Sequence, residues 1–285
     1  MQRYTIADFD SQYPNDDACL EWLKNHLYPN GIFCKKCNRI TKHHKDTGRP
    51  SYSCDYCGHH FHPTTGTIFE KSTTSLKSWF HAIYLMSSTR CGIPAKQIQR
   101  ETGVTYKTAW RMFRQIRMLL NEDVPIFSGE VEADETYIGG KRHGKRGRGA
   151  EGKTAVMGIT QRGGKVMASV VPNVEQSTIV PLITRNVSTD VVFYTDEFPV
   201  YDHFTRIGFN HKRINHSAKI YAAGRIHTNT IEGFWSLLKR GISGTYHAVS
   251  PKYLQSYLNE YAFRYNHRKD ETPMFMAILN QVITS

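Results

Sequence analysis

Nowhere in this chain do apolar residues run for the roughly 20 positions that a helix needs to cross a bilayer, so a membrane-spanning protein is set aside. The start, Met1 to Asp10, lacks the basic and then apolar order of a secretion signal, and the expected setting is the cytoplasm, by inference of a bacterium. There is no internal repeat and no low-complexity tract. With 39% hydrophobic and 12% aromatic residues, disorder is not the default, and 285 residues suffice for two or three domains. Acids are scarce as well: 25 Asp and Glu face 37 Lys and Arg, a formal charge of +12, and the pI is near 9.4. On a globular chain that excess points to a polyanionic partner, because clustered Lys and Arg displace the counterions around phosphates. Nucleic acid is the leading partner.

What is present changes character along the chain, giving expected domains 1–70, 71–124 and 125–285. In the first, Cys34-Lys-Lys-Cys37 and Cys54-Asp-Tyr-Cys57 form two CxxC knuckles with 16 residues between them. Two thiolates on one tight turn can share a cation, and two such turns complete tetrahedral coordination without a large core. Cys34, Cys37, Cys54 and Cys57 are therefore read as ligands of a structural Zn2+. Gly58 gives the second turn room to approach the metal. A disulfide reading conflicts with a reducing cytoplasm. His59, His60 and His62 find no vacancy to fill and either face phosphate or have no role. Cys19 and Cys91 have no partner at ligand spacing and are expected to be buried thiols. Ahead of the knuckles, Asp16 to Leu27 reads as a helix stopped by Pro29 and Gly31.

From Thr73, the residues Leu76, Trp79, Phe80, Ile83 and Met86 recur at three and four, the stripe of an amphipathic helix. A second helix from Pro94 to about Thr102 is followed by Gly103, and a third runs from Thr105 towards Leu120. Two helices about a Gly-containing turn match a helix-turn-helix. On the third helix Tyr106, Lys107, Arg111, Arg114 and Arg117 leave Trp110, Phe113 and Ile116 to face inward. This basic face suits a major groove; the plain alternative is a solvated helix face.

Beyond Phe127 the pattern turns to strands at Val131–Ile138, Thr154–Thr160 and Lys165–Val171, with Gly163 and Gly164 as a hairpin turn. A helix near Ser177–Val187, a strand Val191–Thr195 and helices near Thr228–Arg240 and Pro251–Asn266 follow. That order suggests the α/β class, a mixed sheet with helical cover. The segment Gly129 to Ile138 puts several acids in a strand expected to be buried, where unpaired charge is costly and a divalent cation would compensate it. Alternation sets Glu132, Asp134 and Thr136 on one face and Glu135 on the other. The strand from Val191 ends on Asp196, which suits a ligand or, alternatively, an Asp that opens a turn. On the helix after His227, Asn229, Glu232, Ser236 and Lys239 share a face, while Ile231, Phe234, Trp235 and Leu238 lie largely elsewhere. Lys141, Arg142, Lys145, Arg146 and Arg148 form a Gly-rich basic loop, read as a phosphate clamp or else a solvated loop. Core packing explains the aromatics between Tyr261 and Arg268 at least as well as base stacking does.

The CxxC pair, the segments Glu132–Lys141 and Tyr194–Tyr201, and the helix His227–Gly241 together resemble the DDE transposases of bacterial insertion sequences with an N-terminal zinc ribbon, of the ISXO2-like type. The resemblance spans about residues 16–275. It implies a ribonuclease-H-like mixed-sheet catalytic core, preceded by the ribbon and the helix-turn-helix region. In that core Asp134, Asp196 and Glu232 would hold two divalent cations, Mg2+ or Mn2+, and Lys239, with Arg240 beside it, would contact DNA near the active site. Some relatives use Asn as the third ligand; Asn229 and Glu232 are both present, and Lys239 seven residues after Glu232 favours Glu232. The implied activity is binding of the element's terminal inverted repeats, metal-dependent cleavage and strand transfer into target DNA. Acting on two ends implies a homodimer or larger assembly. The rivals are a non-catalytic DNA-binding regulator derived from a transposase, a ribonuclease-H-like nuclease and a zinc-ribbon transcription factor. Three intact acids count against the first, a ribbon with a helix-turn-helix against the second, and the third leaves the strand carboxylates unexplained.

Overall fold

A computed structural model of the chain describes residues 4–139, 152–214 and 227–283. These form two compact units, one of the residues up to Leu119 with those from Asp270 on, the other Leu120–Lys269. The basic loop with Lys141, Arg142, Lys145, Arg146 and Arg148 lies outside the described residues. No helix among the described residues is long and apolar enough to cross a membrane.

The first unit opens with α1 (Ile6–Gln12) and α2 (Asp16–Leu27). Asn15 starts α2 by accepting from the Ala18 N–H, satisfying one of the orphan donors at a helix start. Five short strands follow. β1 (Ile32–Cys34) and β2 (Arg39–Thr41) form a hairpin, and β3 (His43–Lys45), β4 (Tyr52–Cys54) and β5 (His60–Phe61) an antiparallel sheet. Three helices come next: α3 (Leu76–Ser88), α4 (Ala95–Thr102) and α5 (Tyr106–Met118). The stripe from Leu76 to Met86 is buried throughout. Gly103 ends α4 at φ 70°, a conformation that strains other residues, and Thr105 caps α5 by accepting from the Thr108 N–H.

The second unit is built on a sheet of β6 (Glu130–Ile138), β7 (Thr154–Gln161), β8 (Val166–Val171), β9 (Val192–Thr195) and β10 (Asn210–Arg213). Their spatial order is β10-β9-β6-β7-β8. β6, β7 and β8 are an antiparallel meander, while β9 lies parallel to β6 and β10 parallel to β9. A parallel neighbour requires a crossover, which α6 (Gln176–Asn186) supplies between β8 and β9. Val131, Ala133, Met157 and Phe193 pack on one face with Ile179 and Ile183 of α6 and Phe204 of α7 (Asp202–Arg206). On the other face Val156, Val166 and Ala168 pack under α8 (Asn229–Gly241) and α9 (Pro251–Asn266). The edge of β8 is closed by side chains of α9. Asn266 accepts from the Val166 N–H and Gln255 from the Val170 N–H, so backbone groups that would invite a foreign strand are satisfied.

The last helix, α10 (Met274–Leu279), belongs to the first unit rather than to the region that precedes it. Phe275 stacks on Tyr4 at 4.9 Å and meets Phe9 and Tyr13 edge-on. The division at residue 125 placed this segment with the sheet; its run of apolar residues is instead buried against the aromatic side chains of α1 and α3.

Candidate functional site

The four cysteines come together at the tips of the ribbon's turns. After each knuckle one residue takes a positive φ, Asn38 at 54° and Gly58 at 66°, which turns the chain back so that the paired thiols face inward. Cys34 Sγ lies 3.5 Å from Cys57 Sγ, Cys37 Sγ 3.9 Å from Cys54 Sγ, and all four lie within 4.8 Å of one another. Zinc–sulfur bonds of about 2.3 Å arranged tetrahedrally give sulfur separations of about 3.8 Å, so the cluster has the size of a structural zinc site. The Thr41 hydroxyl, 3.2 Å from Cys54 Sγ, lowers that thiol to about 6. Cys37 is pushed up to about 12, first by its hydrogen bond to Cys57. A cation held between the four sulfurs would offset the mutual repulsion of their thiolate forms. Among the described residues this is the one group of three or more Cys, His, Asp or Glu gathered so closely.

The carboxylates are arranged differently. In the parallel pairing of β6 and β9, Glu132 stands opposite Tyr194, and two residues beyond each are Asp134 and Asp196. The Asp134 carboxyl is pushed up to about 8, first by burial and then by the charges of Glu135 and Asp196. Trp235 Nε1 of α8 donates to Asp134 Oδ2 at 3.0 Å. Its indole fits because Gly158, opposite Asp134 on β7, has no Cβ; one added there would overlap the Trp235 ring and lie 2.9 Å from Ile231 Cδ1. Asp196 Oδ1 also accepts from the Phe198 N–H at 2.8 Å, so the turn-opening role is real alongside any ligand role. Glu232 is exposed, three residues before Trp235, and its Oε1 accepts from the Thr228 hydroxyl at 2.8 Å. Asp134, Asp196 and Glu232 are thus not drawn to mutual ligand distance as the cysteines are. Asn229, Ser236, Lys239 and Arg240 are exposed on α8. Glu135 points to the opposite face, where the buried Tyr201 hydroxyl donates to it at 2.9 Å, as strand alternation requires.

Glu132 has a role that sequence reasoning missed. Fully buried, it accepts from the Thr230 and Ile231 N–H groups at 2.8 and 3.0 Å and from the Thr230 hydroxyl at 2.9 Å. A carboxylate at these donors satisfies the start of α8 and meets the positive end of its dipole. Thr228, at the N-cap, makes no capping bond of its own. Arg162 Nε lies 2.7 Å from Glu132 Oε1, and Arg162 Nη2 donates to the His227 carbonyl at 2.8 Å. Arg162 rests 3.9 Å over the Tyr194 ring, and the Tyr194 hydroxyl donates to Glu130 at 2.8 Å. The network ties β6, β9 and the turn after β7 to the helix that carries Glu232. The one signal in the sequence is a second acid two residues ahead of Asp134 on the same strand face.

Lys107, Arg111 and Arg114 are exposed on α5. Arg117, counted in the same basic face, is not: it is 1% exposed, with its guanidinium 3.6 Å over the Phe113 ring. The helix turns Arg117 onto the side of Phe113, four residues earlier, and away from Arg114. Cys91 is exposed in the turn after α3, contrary to the expectation of a buried thiol, whereas Cys19 is buried and pushed up to about 12 by that burial. Tyr261 and Phe263 are core residues. His60 Nδ1 lies 2.9 Å from the Ser53 hydroxyl and 3.1 Å from Asp46 Oδ2.

The chain carries a four-cysteine ribbon ahead of a mixed sheet with strand carboxylates, and both regions match transposase domains. The profile of the transposase zinc-ribbon domain matches residues 14–60, and that of the ISXO2-like transposase domain matches residues 126–266. The chain belongs to the ISXO2-like transposase family. It is 29% identical over 254 residues to an uncharacterized protein in transposable element ISH50 of Halobacterium salinarum, covering 82% of this chain and 85% of that one. It is 34% identical over 119 residues to an uncharacterized transposase-like protein of Haemophilus influenzae, covering 42% of this chain and 94% of that one. A chain in the cryo-electron microscopy structure of a simian T-cell lymphotropic virus intasome in complex with PP2A regulatory subunit B56 gamma matches at 15% identity. That match covers 64% of this chain and 65% of that one, with a TM-score of 0.31, too loose a superposition to bear on function.

Proposed function

We propose that this family member binds the ends of an insertion sequence and catalyses metal-dependent DNA cleavage and strand transfer at Asp134, Asp196 and Glu232. The observation that carries the reading is the parallel register of β6 and β9, whose last pair stands two residues before Asp134 and Asp196, with Asp134 held by Trp235 of α8 and its carboxyl pushed up to about 8 by burial and its acidic neighbours. Such a crowd of acids suits two Mg2+ or Mn2+ ions. Bound there, the cations would activate a water or a terminal 3′-hydroxyl on one side and stabilise the departing oxygen on the other. The chain's own part is to hold the ligands ready. Trp235 fixes Asp134 Oδ2 and Glu132 fixes the start of α8, so neither has to be ordered when DNA arrives. Glu232, exposed on that helix, completes the set, with Asn229 as the alternative third ligand.

Three antiparallel strands followed by two parallel ones, in the order β8-β7-β6-β9-β10, support the ribonuclease-H-like reading of the region from 125 on. The turn at Gly103 between α4 and α5 supports a helix-turn-helix in 71–124, with Lys107, Arg111 and Arg114 reaching DNA. Lys239 and Arg240 meet phosphates at the active site, and the loop with Lys141, Arg142, Lys145 and Arg146 clamps the strand. Work on two ends calls for a homodimer or larger assembly.

The test is a strand-transfer assay in Mg2+ or Mn2+ with a duplex carrying the element's own end, comparing wild type with Asp196→Ala. Metal-dependent joining that Asp196→Ala loses supports the reading. End binding by folded, zinc-loaded protein without cleavage or joining would replace it with a DNA-binding regulator.

A further inference from the structure

Gly233 and Gly241 lie in α8 and Gly158 faces it, and the described residues account for two of these three. A Cβ on Gly158 would overlap Trp235, and one on Gly241 would overlap the Tyr261 hydroxyl. Those two are bare because the chain itself occupies the space. Gly233 differs. It is the fifth residue of a 13-residue helix, it is exposed, and a Cβ there would meet nothing within 4 Å among the described residues. Its φ is not positive, so the backbone does not demand glycine either. In the body of a helix glycine costs about 1 kcal/mol relative to alanine. Among the described residues neither a turn nor a packed neighbour explains that cost.

The surroundings say what could come so close. At 3.6 residues per turn, Asn229, Ser236, Leu237 and Arg240 share the side of α8 on which Gly233 lies, with Glu232 and Lys239 along its margin. All six are exposed. Two cations, an amide and a hydroxyl form a surface for an anion that also bonds hydrogen, and Leu237 offers an apolar edge to a sugar ring. The one acid, Glu232, is the proposed cation ligand.

We infer that Gly233 is where the sugar-phosphate backbone of the DNA strand to be cut lies against α8, with its phosphates reaching Ser236 and Arg240. This rests on the transposase reading and names the path of the strand through that same site. The missing side chain admits the strand to the helix surface beside Glu232.

The experiment is a size series, Gly233→Ala and Gly233→Leu, in the full-length zinc-loaded protein. It reads thermal midpoint, end-duplex binding and Mn2+-dependent cleavage. Alanine and leucine favour helix, so both midpoints should equal or exceed the wild type. Cleavage should fall about 10-fold for Ala and about 100-fold or more for Leu, the scale that a misplacement of about 1 Å costs. End binding should stay within about threefold, because its larger part is assigned to the helices of the first unit. A structural role would make activity follow stability, whereas here they part. Wild-type cleavage by Gly233→Leu would overturn the inference, and so would a midpoint that falls with side-chain size, since the chain itself would then cover this face. Asp134→Ala separates the two readings. If wild type cleaves, Asp134→Ala does not and Gly233→Leu is fully active, only the strand path is wrong. If wild type shows no metal-dependent cleavage, the transposase reading fails and takes this inference with it.

Discussion

Cys34 and Cys57 are 23 residues apart and meet through two short hairpins, whereas Asp134 and the Trp235 that holds it are 101 residues apart and meet across a sheet and a helix. The ribbon's strands are two or three residues long. Strands so short bury little by themselves, and a structural zinc ion would supply much of the folding energy there. Around the carboxylates the order is reversed. Strands of four to nine residues and four helices form a core on both faces, and each acid has its own protein partner. A turn-coded site depends on its ion to be folded. A site carried by a packed sheet is folded without one.

Removing zinc should break that comparison most sharply, since structural zinc in finger-like peptides is worth on the order of 10 kcal/mol. With a strong chelator, or in Cys54→Ser, amides of β1 to β5 should lose protection from hydrogen exchange while those of β6 and β7 keep theirs. Equal loss in both regions would show that the sheet also depends on the ribbon's metal. Next in size is Glu132→Gln. The amide turns a donor towards either Arg162 or the start of α8, and breaking a buried charged pair costs about 3 kcal/mol. The thermal midpoint of the second unit should drop and α8 amides should exchange faster, with one zinc per chain retained. Unchanged protection of α8 would mean that its docking comes from Trp235 and Leu238 alone.

A third effect concerns pH. Folded Asp134 holds its proton up to about 8, whereas an unfolded chain releases it near 3.8, so between those values the folded state binds more protons and stability falls as pH rises. Metal-free protein should therefore melt at a lower temperature at pH 8 than at pH 5. Mg2+ should restore the midpoint at pH 8, and Asp134→Asn should flatten the slope. An identical slope in Asp134→Asn would assign the titration to another group.

Legibility followed range along the chain. Asp16–Leu27 and Pro251–Asn266 are helices at the residues read from spacing and breakers alone, and the two knuckles are where the CxxC pairs put them. β10 went unseen because Asn210, His211, Lys212 and Arg213 form a polar strand at the sheet's edge, with no buried alternation to reveal it. Of the basic stripe on α5, Lys107, Arg111 and Arg114 are exposed and Arg117 is buried, because a guanidinium that lies on an aromatic ring has the same letter as one in water.

By itself the sequence determined what rests on residues a few positions apart: the cysteine spacing, the helix starts and stops, and the alternation that sets Glu132 and Asp134 on one face of β6. Only the tertiary structure gave those two acids their different partners. Glu132 is claimed by the first backbone N–H groups of α8, 98 residues away, while Asp134 is left beside Asp196. A backbone donor carries no side-chain signature, so nothing local to β6 could say which acid the helix would take.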